Sequence, residues 1–210
     1  AKMYAVIGEN GCGKSTLGKI ITNGWNFTTN AIIGDKQSLS IEYVEFSDIH
    51  SLTGFSGAYY QQRFESMMND EIPTVGQLID GKIDPHVWQS LCQKLNVDNI
   101  INKRINYLSS GELRKFLIIN ILTTSPDILI IDNPYIGLDA ESRDLLNELL
   151  QQIIDNGTTI VMLLCNSAEI PHFTNFVIPM KSMEIGETIA VTSDNHNFVL
   201  QQTAKLFTSL

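Results

Sequence analysis

The segment Gly8-Glu9-Asn10-Gly11-Cys12-Gly13-Lys14-Ser15-Thr16 constrains this chain more than any other. It closes a short apolar run over residues 2–8, read as a buried strand. It opens a helical pattern over 14–24 with Gly24 as the expected C-cap. The spacing G-x-x-x-x-G-K-S, through Gly8, Gly13, Lys14 and Ser15, is the Walker A pattern. Its glycines let the backbone curl so that successive N–H groups face phosphate oxygens. The helix start at Lys14 adds the positive end of its dipole. In that arrangement Lys14 reaches the outer phosphates and the Ser15 hydroxyl ligates Mg2+. A chance Gly-rich turn gives the same letters; the strand before and the helix after weigh against it. Cys12 lies inside the cradle, and a small side chain turned away from the phosphates is the simpler expectation. The alternative is a redox switch, because a positive site favours the thiolate.

Beyond the cradle, strands are predicted over 40–46, 127–132, 158–165, 175–180 and 187–193. Helices are predicted over 74–80, 85–97, 109–125, 140–157 and 197–208, and 47–72 reads as loop with a short helix. Alternating strand and helix predict an α/β domain with a parallel sheet, the P-loop NTPase architecture. The expected layout is one domain over 1–210, its core formed by 1–72 and 125–210. A helical subdomain over about 73–124, where no strand is predicted, is inserted into it. A hydrophobic fraction of 43% supports a real core, and a formal charge of −9 disfavours a nucleic-acid backbone as partner. Cys12, Cys92 and Cys165 form no CxxC pair and read as reduced thiols. The most apolar region, 116–131, is broken by Asn120, Ser125, Pro126 and Asp127, well short of the roughly 18 residues a membrane helix needs. A soluble, cytoplasmic chain is expected, able to dock on a membrane protein. It opens with Ala1 rather than Met, and a piece of a longer chain is the expectation.

Three later stretches narrow the class. Residues 107–116, Tyr-Leu-Ser-Ser-Gly-Glu-Leu-Arg-Lys-Phe, resemble the LSGGQ signature of ATP-binding cassette (ABC) proteins, with Ser110 and Glu112 at a usual Gly and Gln. Taken alone, Ser109 with Glu112 is also an ordinary helix capping box. Residues 128–132, Ile-Leu-Ile-Ile-Asp, resemble Walker B, and Gly137-Leu138-Asp139 resemble the D-loop. Their order and spacing, from residue 3 to about 166, are similar to the ABC family. Residues 107–115, 125–143 and 163–173 most resemble the ModF-type group of tandem-cassette proteins, linked to molybdate transport or photorepair.

The resemblance implies ATP held by Gly8 to Thr16, with Mg2+ on Ser15 and Asp132. It implies that Ser109, Ser110, Gly111 and Glu112 cover a partner cassette's ATP, and that Asp139 lies at the seam between cassettes. The implied partners are a second cassette, on the same chain or as a homodimer, and a membrane transporter subunit. The family's γ-phosphate-sensing Gln corresponds to Gln61 or Gln62, unless these are surface glutamines.

The departures from the family pattern are as informative. Asn133 stands where the family has a Glu base, and Asn166 where it has a switch His. Loss of a general base costs about 10²–10⁴ in rate. Asn also suits tight strand-end turns, which is the structural alternative at both positions. The family's adenine-stacking aromatic lies roughly 20 residues before the P-loop, ahead of Ala1, and Tyr4 is expected to point into the core. A cassette that binds Mg-ATP and hydrolyses it weakly is therefore the leading expectation. A non-catalytic nucleotide sensor and a mechanical ATPase acting on nucleic acid or ribosomes are the alternatives.

Overall fold

The computed structural model describes residues 1–23, 39–45, 72–79, 85–95, 97 and 99–208. They fall into two compact units, Ala1–Ser47 with Ser125–Leu210, and Asp48–Thr124. Among the described residues the first unit holds a seven-stranded sheet. Its strands are β1 (Met3–Ile7), β2 (Ile41–Glu45), β3 (Ile128–Asp132), β4 (Thr159–Leu164), β5 (Phe176–Lys181), β6 (Glu184–Ile185) and β7 (Ile189–Ala190). The order is β2-β3-β4-β1-β5-β6, with β7 also on β5. The pairs from β2 through β5 are parallel, and β6 and β7 run antiparallel to β5.

The central strands are apolar at consecutive positions because both faces are covered. Ala5, Ile7, Leu129, Ile130, Ile160 and Met162 are fully buried. Side chains alternate between faces along a strand. On one face Val6, Ile130 and Leu163 meet Cys12, Met180 and the apolar residues Leu17 and Ile21 of helix α1 (Lys14–Asn23). A later helix of this unit, Ala140–Asp155, buries the stripe Leu146, Leu149, Leu150 and Ile153 and packs along β4. That helix ends on a Schellman motif: Gly157 at φ 106° donates to Ile154 O, and Thr158 donates to Ile153 O. The last helix spans His196–Thr208.

The second unit, taken by itself, is helical. It contains α2 (Val75–Ile79), α3 (Pro85–Lys94) and α4 (Ser110–Thr124). In chain order Ala140–Asp155 is then α5 and His196–Thr208 is α6. Trp88 of α3 meets Phe116 of α4 edge to face, with centroids 6.2 Å apart. Among the described residues its one β contact is an isolated bridge between Thr74 and Arg104. No described helix is long and apolar enough to cross a membrane.

Three expectations are corrected. The strand predicted over 187–193 shrinks to Ile189–Ala190. The returning chain shares one edge of β5 between β6 and β7, and Gly186 lies against Pro179 between them. The helix predicted over 85–97 stops at Lys94, where Val97 N–H reaches back to Cys92 O and closes the last turn. Tyr4 is half-buried and not in the core. It stacks at 5.1 Å on Phe176, its neighbour across the β1–β5 pair. The loop reading of 47–71 and the Gly24 cap lie outside the described residues.

Candidate functional site

The cradle is built by backbone fit. Gly8, at the end of β1, donates to Leu164 O at 3.2 Å. A Cβ there would stand 2.3 Å from Met180 O and 2.6 Å from Cys12 Sγ, so only glycine lets the loop pass. Gly11 and Gly13 hold φ of 81° and 103°, the left-handed conformation that curls the loop. Lys14 is folded back inside it. Its Nζ donates to Gly8 O at 2.8 Å and Glu9 O at 2.9 Å, and lies 3.8 Å from Cys12 Sγ. Those partners offset the cost of burying an ammonium that is only 5% exposed. Glu9, Asn10, Gly11 and Thr16 are exposed, and Ser15 is half-buried. Cys12 is buried in the core cluster, which takes its thiol away from solvent.

Asp132 ends β3 and is fully buried. Its Oδ2 accepts from the Tyr43 hydroxyl at 2.9 Å, while its Oδ1 has no partner. An unpaired buried acceptor costs about 1–3 kcal/mol. Burial first, and then the Asp132 carboxyl, push the Tyr43 phenol well above its usual range. Ser15 and Asp132 fit a magnesium ion: a hydroxyl, and a carboxyl whose Oδ1 is left without a donor. Among the described residues no group of three or more His, Cys, Asp and Glu could hold a metal. The set suits Mg2+ bound mainly through phosphate and water.

Asn133 follows at φ 50° and donates its N–H to Leu163 O at 3.1 Å. Its side-chain oxygen accepts from Cys165 Sγ at 3.2 Å, and the same thiol lies 2.9 Å from Asn10 Oδ1. Cys165 thus ties the cradle to the end of β3. Asn166 spends its side-chain oxygen as an N-cap, accepting from Ala168 N–H at 3.0 Å. Asp139 caps α5 by accepting from Ser142 N–H at 2.8 Å, and the Ser142 bonds hold its carboxyl below the ordinary range. Arg143 braces the turn between them. It donates to Leu138 O at 3.2 Å, pairs with Glu169 at 3.4 Å and lies over the Tyr135 ring at 5.5 Å. The Tyr135 hydroxyl donates to Asn147 Oδ1.

In the second unit, α4 begins at Ser110 with a complete capping box. Ser109 N–H donates to Glu112 Oε2 at 2.9 Å, and Glu112 N–H to Ser109 Oγ at 3.2 Å. Lys103 pairs with Glu112 at 2.6 Å and, ahead of the Ser109 bonds, lowers its carboxyl below the ordinary range. A Cβ on Gly111 would meet nothing, so the front of the helix is open there. Gln61 and Gln62 lie outside the described residues. In the first unit Gly8 to Thr16, Asp132, Asn133 and the segment around Asn166 gather at the carboxyl ends of adjacent strands β3, β4 and β1. Sequence reasoning missed two residues of this cluster, Tyr43 and Cys165. Tyr43 is visible only as a strand residue, and Cys165 only as the neighbour of Asn166.

A nucleotide cradle at the carboxyl edge of a parallel sheet, followed by an acidic strand end, defines a P-loop nucleotide-binding domain. The model of the ABC transporter family matches residues 1–136, well over half the chain, and the chain belongs to that family as an ATP-binding cassette. It is 29% identical over 190 residues to the ABC transporter ATP-binding protein ModF of Escherichia coli (strain K12), covering 88% of this chain and 38% of ModF. It is 27% identical over 212 residues to the energy-coupling factor transporter ATP-binding protein EcfA2 of Streptococcus pyogenes serotype M3, covering 96% of this chain and 72% of that protein. Against the first of these relatives the chain spans under half of the relative's length. Among solved structures it is similar in fold to cbiO1 of Clostridium perfringens, part of the ABC transporter complex cbiONQ. The TM-score is 0.65 at 20% identity, covering 98% of this chain and 82% of that one. An ATP-binding subunit of an ABC transporter gives 0.70 at 16% identity, covering 98% and 87%.

Proposed function

We propose that this cassette binds Mg-ATP in the Gly8–Thr16 cradle, pairs with a second cassette around it, and hydrolyses it weakly. One observation carries the reading: an intact cradle and a buried acid stand beside Asn133, whose side chain can hold a water and cannot take its proton. Lys14 neutralises the outer phosphates, and backbone N–H groups of the loop orient them. Ser15 and the free Oδ1 of Asp132 hold Mg2+, which supplies charge neutralisation at the phosphates when bound. No carboxylate follows Asp132 to take a proton from the attacking water, and Asn166 brings no positive charge to the γ-phosphate.

The open helix start at Ser109, Ser110, Gly111 and Glu112 is suited to a phosphate group of a facing cassette, and Asp139 to the seam beside it. That facing cassette is a second copy or a second domain of the same protein, and a membrane transporter subunit is the downstream partner. The tandem arrangement of the ModF-type group fits a chain that spans 38% of ModF.

Restoring the missing groups tests the weak-hydrolysis claim. Asn133→Glu with Asn166→His, in an assembly that supplies the opposing signature, should raise ATP turnover by about 10²-fold or more. A double variant no faster than wild type would show that the two asparagines do not limit turnover.

A further inference from the structure

The Tyr43 hydroxyl is bonded to Asp132, one of the two groups assigned to the metal. It donates to Asp132 Oδ2 at 2.9 Å. Its position is fixed from several sides. On β2, Tyr43 is in register with Ile130 of β3, two residues before Asp132 and on the same face of the sheet. Its ring abuts α1 at Gly18, where a Cβ would stand 2.7 Å from Tyr43 Cε2. Lys19 Nζ sits 5.8 Å from the ring centroid, held by Glu45 at 3.2 Å. The phenol therefore sits between α1 at Gly18 and the end of β3 at Asp132.

We propose that Tyr43 is the positioning residue of the magnesium site: its hydroxyl occupies Asp132 Oδ2 and so leaves Oδ1 as the carboxyl oxygen available to the metal. This rests on the reading that Mg-ATP binds at Ser15 and Asp132. Three features carry it. Asp132 is fully buried, so no solvent competes for its oxygens. One of those oxygens is tied to Tyr43 and the other is unpaired. The ring abuts α1 at Gly18, which closes off that side and leaves the hydroxyl directed at Asp132. Outer-shell partners of this kind fix ligand orientation, and their removal costs about 10–100-fold in metal affinity. Lys14 and the loop backbone read the phosphates without passing through Tyr43, so nucleotide binding in the absence of metal does not depend on the hydroxyl.

The test is Tyr43→Phe, which keeps the ring and its seat on Gly18. A fluorescent ATP analogue is titrated in EDTA and in Mn2+, and Mn2+ bound to the ATP-loaded protein is followed by electron paramagnetic resonance. The expected result is an EDTA Kd unchanged within about two-fold, which also reports a folded cradle. In the same variant the Mn2+ Kd should rise by about 10-fold or more, with an altered Mn2+ spectrum. An unchanged Mn2+ Kd overturns the proposal, and so does a tighter one, since the phenol would then be standing where the metal goes. Equal weakening in EDTA and Mn2+ also overturns it, marking Tyr43 as a packing residue only. A wild type that binds the analogue in neither condition overturns the Mg-ATP reading itself, a failure distinct from the other three.

Discussion

At the scale of single residues, Asn133 answers to two demands. Its backbone sits at φ 50°, where Asn and Gly are tolerated and most side chains are strained. Its side chain accepts from Cys165, which also reaches Asn10 of the cradle. Backbone and chemistry can be separated. Asn133→Gly should keep thermal stability near wild type, and Asn133→Ala should lose about 1 kcal/mol in a denaturant titration. Equal stabilities of the two variants would remove the backbone demand from the account. Residue types and spacing made the cradle legible in the sequence, because Gly8, Gly13, Lys14 and Ser15 are local to one loop. Tyr43 and Cys165 were not legible. The Tyr43–Asp132 bond spans 89 residues, and the Cys165–Asn10 contact spans 155. Both are created by strand pairing, which no local pattern specifies.

At the scale of elements, consecutive apolar residues in β1, β3 and β4 marked buried parallel strands, and the structure places them side by side. The β5–β6 hairpin was missed because its two-residue turn is Ser182-Met183, both at positive φ, without the Asn-Gly or Asp-Gly that usually announces it. Its tip is hooked to the cradle, Met183 N–H donating to Cys12 O at 3.0 Å. The start of α4 was legible as a capping box and forms one, reinforced by Lys103. This gives a pH dependence with a definite sign. The Glu112 carboxyl is held below its ordinary value of 4.5, by Lys103 first, so its contribution is full above that value. It is lost as pH falls through the lower folded value. The pair faces solvent, so the contribution at pH 7 is at most about 0.5–1 kcal/mol after screening. Glu112→Ala should lower the unfolding midpoint at pH 7, and the difference from wild type should shrink as pH falls below 4.5. A loss that stays constant down through the acid range would assign the effect to helix propensity alone.

At the scale of the whole molecule, the proposed function draws on both compact units, each taken by itself. The first holds Lys14, Ser15 and Asp132, and the second the open helix start at Ser110 and Gly111. In the proposed assembly each is completed by a facing cassette. Nucleotide affinity and turnover then separate cleanly. Affinity resides in the cradle of this chain, and turnover depends on the partner and on what stands at Asn133 and Asn166. The claim on which all else rests is that the cradle takes Mg-ATP through Lys14. The direct measurement is an equilibrium titration of a fluorescent ATP analogue with Mg2+, comparing wild type with Lys14→Ala. Loss of charge-assisted bonds to the outer phosphates predicts binding at least about 10–100-fold weaker in the variant. Equal affinity of wild type and Lys14→Ala would contradict the account at its base.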